Sequence, residues 1–127
     1  MDYTTIKTFT DACKVKGIDP ATVTPYAEPK TEREESINAL AMLDVISDVL
    51  NDGWIPNWND ANELKWFPWF RWNGAGFGFS PADCAWALTY SDVGSRLCFK
   101  SEAMADYAGK TFEALYNKLL TKTKPTV

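Results

Sequence analysis

Apolar residues recur at helical spacing in three stretches of the chain, and aromatic residues crowd a fourth that lies between them. From Thr4 to Lys16, Ile6, Phe9 and Ala12/Cys13 fall on one face of a 3.6-residue period, which predicts a short helix. Gly17 follows as a C-terminal stop, with Pro20 just beyond. Pro20, Pro25 and Pro29 then predict a loop over Asp19 to Lys30 that wraps the surface, pinned by Val23 or Tyr26. Thr31 is placed to cap a second helix, and Glu34 completes a capping box. Ile37, Leu40, Ala41, Val45 and Val49 form its apolar stripe, widened by Leu43, Ile46 and Leu50, and Asn51-Asp52-Gly53 ends it. Glu32, Glu34 and Glu35 sit in the first turn, where the helix dipole favours negative charge, so the acidic run reads as helix-start chemistry and not as a metal site. A last helix begins at a Ser101 cap with Glu102 behind it. It carries Met104, Ala108, Phe112, Leu115 and Leu119 as one continuous stripe, flanked by Tyr107 and Tyr116. Gly109 inside that helix costs about 1 kcal/mol relative to alanine, which predicts a close helix–sheet contact there.

The segment between the helices follows other rules. After Trp54, the asparagines and aspartates at 57, 59, 60 and 62 predict a turn-rich stretch. Lys65 to Trp72 is an aromatic run that favours a strand, and Pro68 at its centre predicts an edge position or a bulge. Asn73-Gly74 signals a hairpin turn into Phe77-Gly78-Phe79. Cys84 to Tyr90 fits a third strand, with helix as the alternative. Arg96 to Lys100 reads as a short final strand with Arg96, Cys98 and Lys100 on one face. Turn signals this close together disfavour parallel crossovers. The expected architecture is therefore α+β: two N-terminal helices, a small antiparallel meander of three to four strands rich in Trp and Phe, and a long C-terminal helix packed on the sheet. The 127 residues form one expected domain, with 1–3 and 121–127 frayed.

Composition narrows the chemistry. The chain has no histidine, which excludes Ser-His-Asp and Cys-His catalysis and histidine metal sites. Cys13, Cys84 and Cys98 are widely spaced without a CxxC, as expected of buried thiols. Cys98 beside two cations is a candidate for a lowered pKa, but no general base accompanies it, and a structural role is expected. A net charge of −4 argues against binding long nucleic acids. The start of the chain has no apolar h-region, so no secretory signal is expected. The longest apolar stretch, near Ile37 to Leu50, is broken by Asn38, Asp44, Ser47 and Asp48, so no membrane span is expected either. The carboxylate pairs Asp60/Glu63 and Asp83/Asp92 read as turn residues, and the glycines at 74, 76 and 78 complete no phosphate-binding pattern. No cofactor is expected.

All six tryptophans lie between Trp54 and Tyr90. On an unbroken strand Trp66 and Phe70 would face one way and Phe67 and Trp69 the other, making both faces aromatic. Either Pro68 introduces a bulge and the rings become core, or one aromatic face is left for a partner. Candidate binding residues are Trp58, Asn59 and Asp60 in the polar stretch, and Trp66, Trp69, Arg71 and Trp72 on the aromatic strand. Trp86 and Arg96 complete the set. They suit protein contact, including self-association, or stacking of a small nucleotide or sugar on Trp and Tyr rings.

The run Asp52 to Asp60, then Lys65 to Phe70, then Gly94 to Ser101 leading into Ala105 to Phe112, resembles small uncharacterised proteins of gut Bacteroidetes and their phages. The likeness extends over roughly Lys7 to Leu120. It implies a phage or prophage gene, synthesis in the host cytoplasm, and a role in the virion or against host defences. It brings no activity and no site residues. The expectation is a non-enzymatic binding or assembly protein that uses the aromatic hairpin for protein contact, with a small-ligand binder as the alternative.

Overall fold

The helix predicted from Thr31 is the spine of the molecule. In the computed structural model, which describes residues 1–80, 85–87 (backbone alone) and 94–124, α2 runs over Glu32–Asn51. The Thr31 hydroxyl accepts from the Glu34 N–H at 3.1 Å, while the Glu34 carboxylate accepts from Lys30 N–H at 2.9 Å, one residue before the cap. The buried face differs from the expected stripe. Ala39, Leu43, Ile46, Val49 and Leu50 are core, whereas Ile37 and Leu40 are 37% and 43% exposed. Both sets satisfy helical spacing, and the choice between them is made by the neighbours that pack on α2, which the local pattern does not contain.

The first helix is shorter than Thr4 to Lys16. Residues Tyr3–Thr5 form a separate 3-10 turn, and α1 covers Phe9–Lys16. Thr8 and Asp11 make a reciprocal capping box that fixes the later start, and Gly17 ends the helix in the left-handed region at φ 73°. The proline-rich loop is pinned as expected at Tyr26. Buried Asn38 of α2 accepts from Tyr26 N–H at 3.1 Å and donates to its carbonyl at 2.8 Å.

The long C-terminal helix is two helices, α3 (Glu102–Thr111) and α4 (Glu113–Leu120). Ser101 caps α3 as predicted. At Phe112 the backbone leaves helical geometry, φ −110° and ψ 26°. The break seats Phe112 in the core, 4% exposed, and turns α4 onto α2, where Lys118 and Glu35 pair at 2.8 Å. A continuous stripe of apolar residues does not reveal such a bend, because both halves keep the same spacing. The expected contact at Gly109 is present: a Cβ added there would lie 2.3 Å from a Phe79 ring carbon. At the far end, the Glu32 carboxylate accepts from Thr123 N–H at 2.9 Å and from Lys124 N–H at 3.3 Å.

The chain is α+β, but its strands do not form a meander of three or four. Two separate antiparallel pairs are present among the described residues. β1 (Lys65–Phe67) pairs with β4 (Ala85–Ala87), and β2 (Phe70–Trp72) pairs with β3 (Phe77–Phe79). Pro68, which has no N–H to donate, lies between β1 and β2. The expected final strand is also corrected. Ser95–Leu97 is a 3-10 turn, and only Phe99 meets the sheet, exchanging 3.0 and 2.7 Å hydrogen bonds with Trp66. Arg96, Cys98 and Lys100 therefore share no strand face. Asn51 at the end of α2 holds this segment, donating to the Cys98 carbonyl at 2.9 Å and accepting from Lys100 N–H at 3.1 Å. The expected third strand is present as β4, and the rest of Cys84 to Tyr90 lies outside the described residues. Among the described residues, no helix is long and apolar enough to cross a membrane.

Candidate functional site

Strand alternation sorts the aromatic hairpin into two faces. In β2 and β3, Phe70 stands opposite Phe79 and Trp72 opposite Phe77, while Arg71 faces Gly78. Those four rings share one face, packed on the core at Phe70 and exposed at Trp72. Phe70 packs against Tyr116 of α4 with centroids 4.8 Å apart and edge-on to Phe79 at 6.0 Å, and Trp72 meets Phe77 edge-on at 5.3 Å. Trp69 and Arg71 alternate to the other side, where Gly78 carries no side chain and the Asn73 amide lies 3.5 Å from where its Cβ would stand. The aromatic run is thus divided between partly buried and exposed rings. Trp66 and Phe70 pack against the core on either side of Pro68, yet Trp69 and Trp72 are each 51% exposed.

The outer edge of β3 is closed by a helix. The Phe77 N–H donates to Asn117 Oδ1 and the Phe79 N–H to Glu113 Oε2, each at 2.9 Å. Residues four apart on a helix are spaced about 6 Å along its axis, and residues two apart on a strand about 6.8 Å. The two acceptors therefore match the two outward N–H groups.

The polar stretch before β1 is built around a cation. Lys65 is fully buried, and its Nζ donates to the carbonyls of Asn57 at 2.8 Å and Asp60 at 2.9 Å. It also lies 3.4 Å from the Glu63 carboxylate and 5.3 Å from the centroid of the Trp58 ring. Glu63 in turn accepts from Asn57 N–H at 2.7 Å. The side chains of Asn57 and Asp60 accept from the N–H groups of Asn59 and Asn62 at 3.0 and 2.9 Å, so local turns complete the cage. An ammonium loses several kcal/mol on leaving water unless its donors are satisfied. Here two carbonyls, a carboxylate and an aromatic face surround it.

Of the candidate binding residues, Trp58, Asn59 and Asp60 come together in this cage, and Trp69, Arg71 and Trp72 on the hairpin. Trp66 is partly buried against the core and pairs by backbone with Trp86, whose side chain lies outside the described atoms. Arg96 stands apart. It is bound to Asp44 of α2 through two hydrogen bonds of 3.1 and 3.2 Å, which raise its pKa. Cys98 does not carry a lowered pKa. Burial pushes its thiol up to about 11, a larger effect than the lowering from nearby Lys65. Among the described residues no cluster of acidic or cysteine side chains is placed to hold a metal ion. Sequence reasoning missed Lys65 as a centre, placing it only at the start of the aromatic strand. The available signal was a lysine set between Leu64 and Trp66-Phe67 at the start of a buried strand, directly after a turn-rich run of Asn and Asp. It also missed Asn117 and Glu113, for which only their place beside an apolar stripe could have served.

Compared with protein-family models, with curated proteins and with solved structures, the chain finds no match in any of the three.

Proposed function

We propose that this chain is a non-enzymatic binding or assembly protein, phage- or prophage-associated, that makes protein contacts through its aromatic hairpin. The observation that carries the reading is the 51% exposure of both Trp69 and Trp72 on a hairpin whose other described rings are partly buried. Large half-exposed indoles are the side chains that most often supply binding energy at protein interfaces. Ile55, 81% exposed, and Leu64, 41% exposed, precede them in the same segment. The phage setting rests on the resemblance of the Asp52 to Asp60, Lys65 to Phe70 and Gly94 to Phe112 runs, and with it a place in the host cytoplasm or the virion.

A second reading is favoured by one feature. Trp69 and Arg71 share a face of the hairpin with Gly78, which carries no side chain, an arrangement on which a nucleobase or sugar ring can lie flat. Light scattering across a concentration series separates the two, run on the wild type and on a Trp69→Ala/Trp72→Ala variant. Self-association that the variant loses supports the first reading. A monomer whose tryptophan fluorescence is quenched saturably by a nucleotide or an oligosaccharide supports the second. A strict monomer with no quenching counts against both.

A further inference from the structure

We propose that the 57–63 loop is a receptor for a primary ammonium ion, filled by the chain's own Lys65, and that this filling positions Trp58 and the loop backbone. The inference stands independently of what the aromatic hairpin binds.

Three observations lead to it. The carbonyls of Asn57 and Asp60 converge on one point, the Lys65 Nζ, at 2.8 and 2.9 Å, and without a cation there their like-oriented dipoles would repel. Glu63 at 3.4 Å and the Trp58 ring at 5.3 Å complete a set of two carbonyls, a carboxylate and a π-face, the combination that recognises alkylammonium groups. The loop has little else to hold it. Its other hydrogen bonds stay within the loop: Asp60 N–H to the Asn57 carbonyl and Glu63 N–H to the Asp60 carbonyl span three residues, and Asn57 N–H to the Glu63 carboxylate spans six. Of its flanking apolar side chains, Ile55 is 81% exposed and Leu64 41% exposed. Within the loop Trp58 is partly buried, and Lys65, 0% exposed and rooted in β1, reaches into its centre.

The consequence is chemical. Shortening Lys65 to alanine removes a propylammonium-sized piece and should leave a cage selective for that cation. In Lys65→Ala, amide exchange measured by NMR at Asp60 and Glu63 should accelerate about tenfold or more, while the amides of α2 stay within about twofold. Added n-propylammonium should restore protection saturably, and 1-propanol, the same shape without charge, should not. Unchanged exchange in the loop, or equal rescue by propanol, would overturn the proposal. Should Lys65→Ala fail to fold, Lys65→Met keeps the stem and removes only the charge. Loss of loop protection with α2 intact supports the inference, and retained protection at Asp60 and Glu63 refutes it.

Discussion

Replacing Gly109 by alanine sets two opposing terms against each other. In a solvent-exposed helix the change stabilises by about 1 kcal/mol. Gly109 is buried, and a Cβ built on it would lie 2.3 and 2.4 Å from two ring carbons of Phe79 and 2.8 Å from Cβ of Pro68. Carbon atoms in contact settle near 3.5–4 Å, so either α3 or the hairpin must retreat by about an ångström. The Phe79 ring cannot simply swing away, since Phe70 packs against it and Lys110 lies over it with its Nζ 5.8 Å from the centroid. Overpacking of this kind costs about 1–3 kcal/mol, and the severity of the clash places it at the upper end. After the helix-propensity gain, the net loss is about 2 kcal/mol, or roughly 4–8 °C in Tm. Urea unfolding followed by tryptophan fluorescence reads it directly as a lower midpoint at unchanged slope. In a Phe79→Ala background the same substitution should cost about 1 kcal/mol less, because only the Pro68 contact remains. A Gly109→Ala protein with a raised midpoint would refute the close approach of α3 to the hairpin.

Asn51→Ala removes the side chain that bridges the end of α2 to Cys98 and Lys100, and should destabilise by about 1–3 kcal/mol in the same urea assay, through one buried and one part-buried backbone group left unmatched. Arg96→Ala, by contrast, breaks only a pair with the arginine 77% exposed, and its thermal melt should shift by less than the equivalent of about 1 kcal/mol. Burial pushes the Cys98 thiol from 9.0 to about 11, so in that interval the folded chain holds a proton that the unfolded chain releases. The stabilisation is complete below pH 9.0 and is lost as pH rises through the window up to about 11, so wild-type stability should decline more steeply there than that of Cys98→Ala. Parallel profiles would show that the thiol does not titrate differently on folding.

The features legible in the sequence are those whose cause is local. The Thr31 and Ser101 caps, the Gly17 stop and the helix-start role of the acidic run depend on residues within one turn, and each stands where the pattern puts it. Gly109 was legible for a related reason, since a glycine inside a good helix needs a packing explanation. The errors come from partners distant in sequence. Whether Ile37 or Leu43 faces inward depends on what packs against α2. The bend at Phe112 depends on where α4 must land. Pro68 lies between two separate pairings, because β1 takes Phe99 and β4 as neighbours while β2 takes β3. Arg96 read as a strand residue because alternation over five residues resembles a strand, yet Asp44 lies 52 positions away and holds it on a turn. The candidate site was legible as a composition, not as a geometry. The tryptophans marked the segment that holds the cage and the hairpin, but the cation at its centre could be seen only once the loop had closed.

The closure of β3 by Asn117 and Glu113 has a consequence for the order in which the protein can be made. An isolated two-stranded hairpin is at best marginally stable in water. Two N–H groups of this one donate to side chains 40 and 34 residues later in the chain. During synthesis the hairpin leaves the ribosome well before α4, and for that interval its outer edge lacks both acceptors. The exposed indoles and the open strand edge are then available to any neighbouring chain. Only α4 closes that edge, so a chain halted before α4 would present an adhesive strand that α4 otherwise conceals.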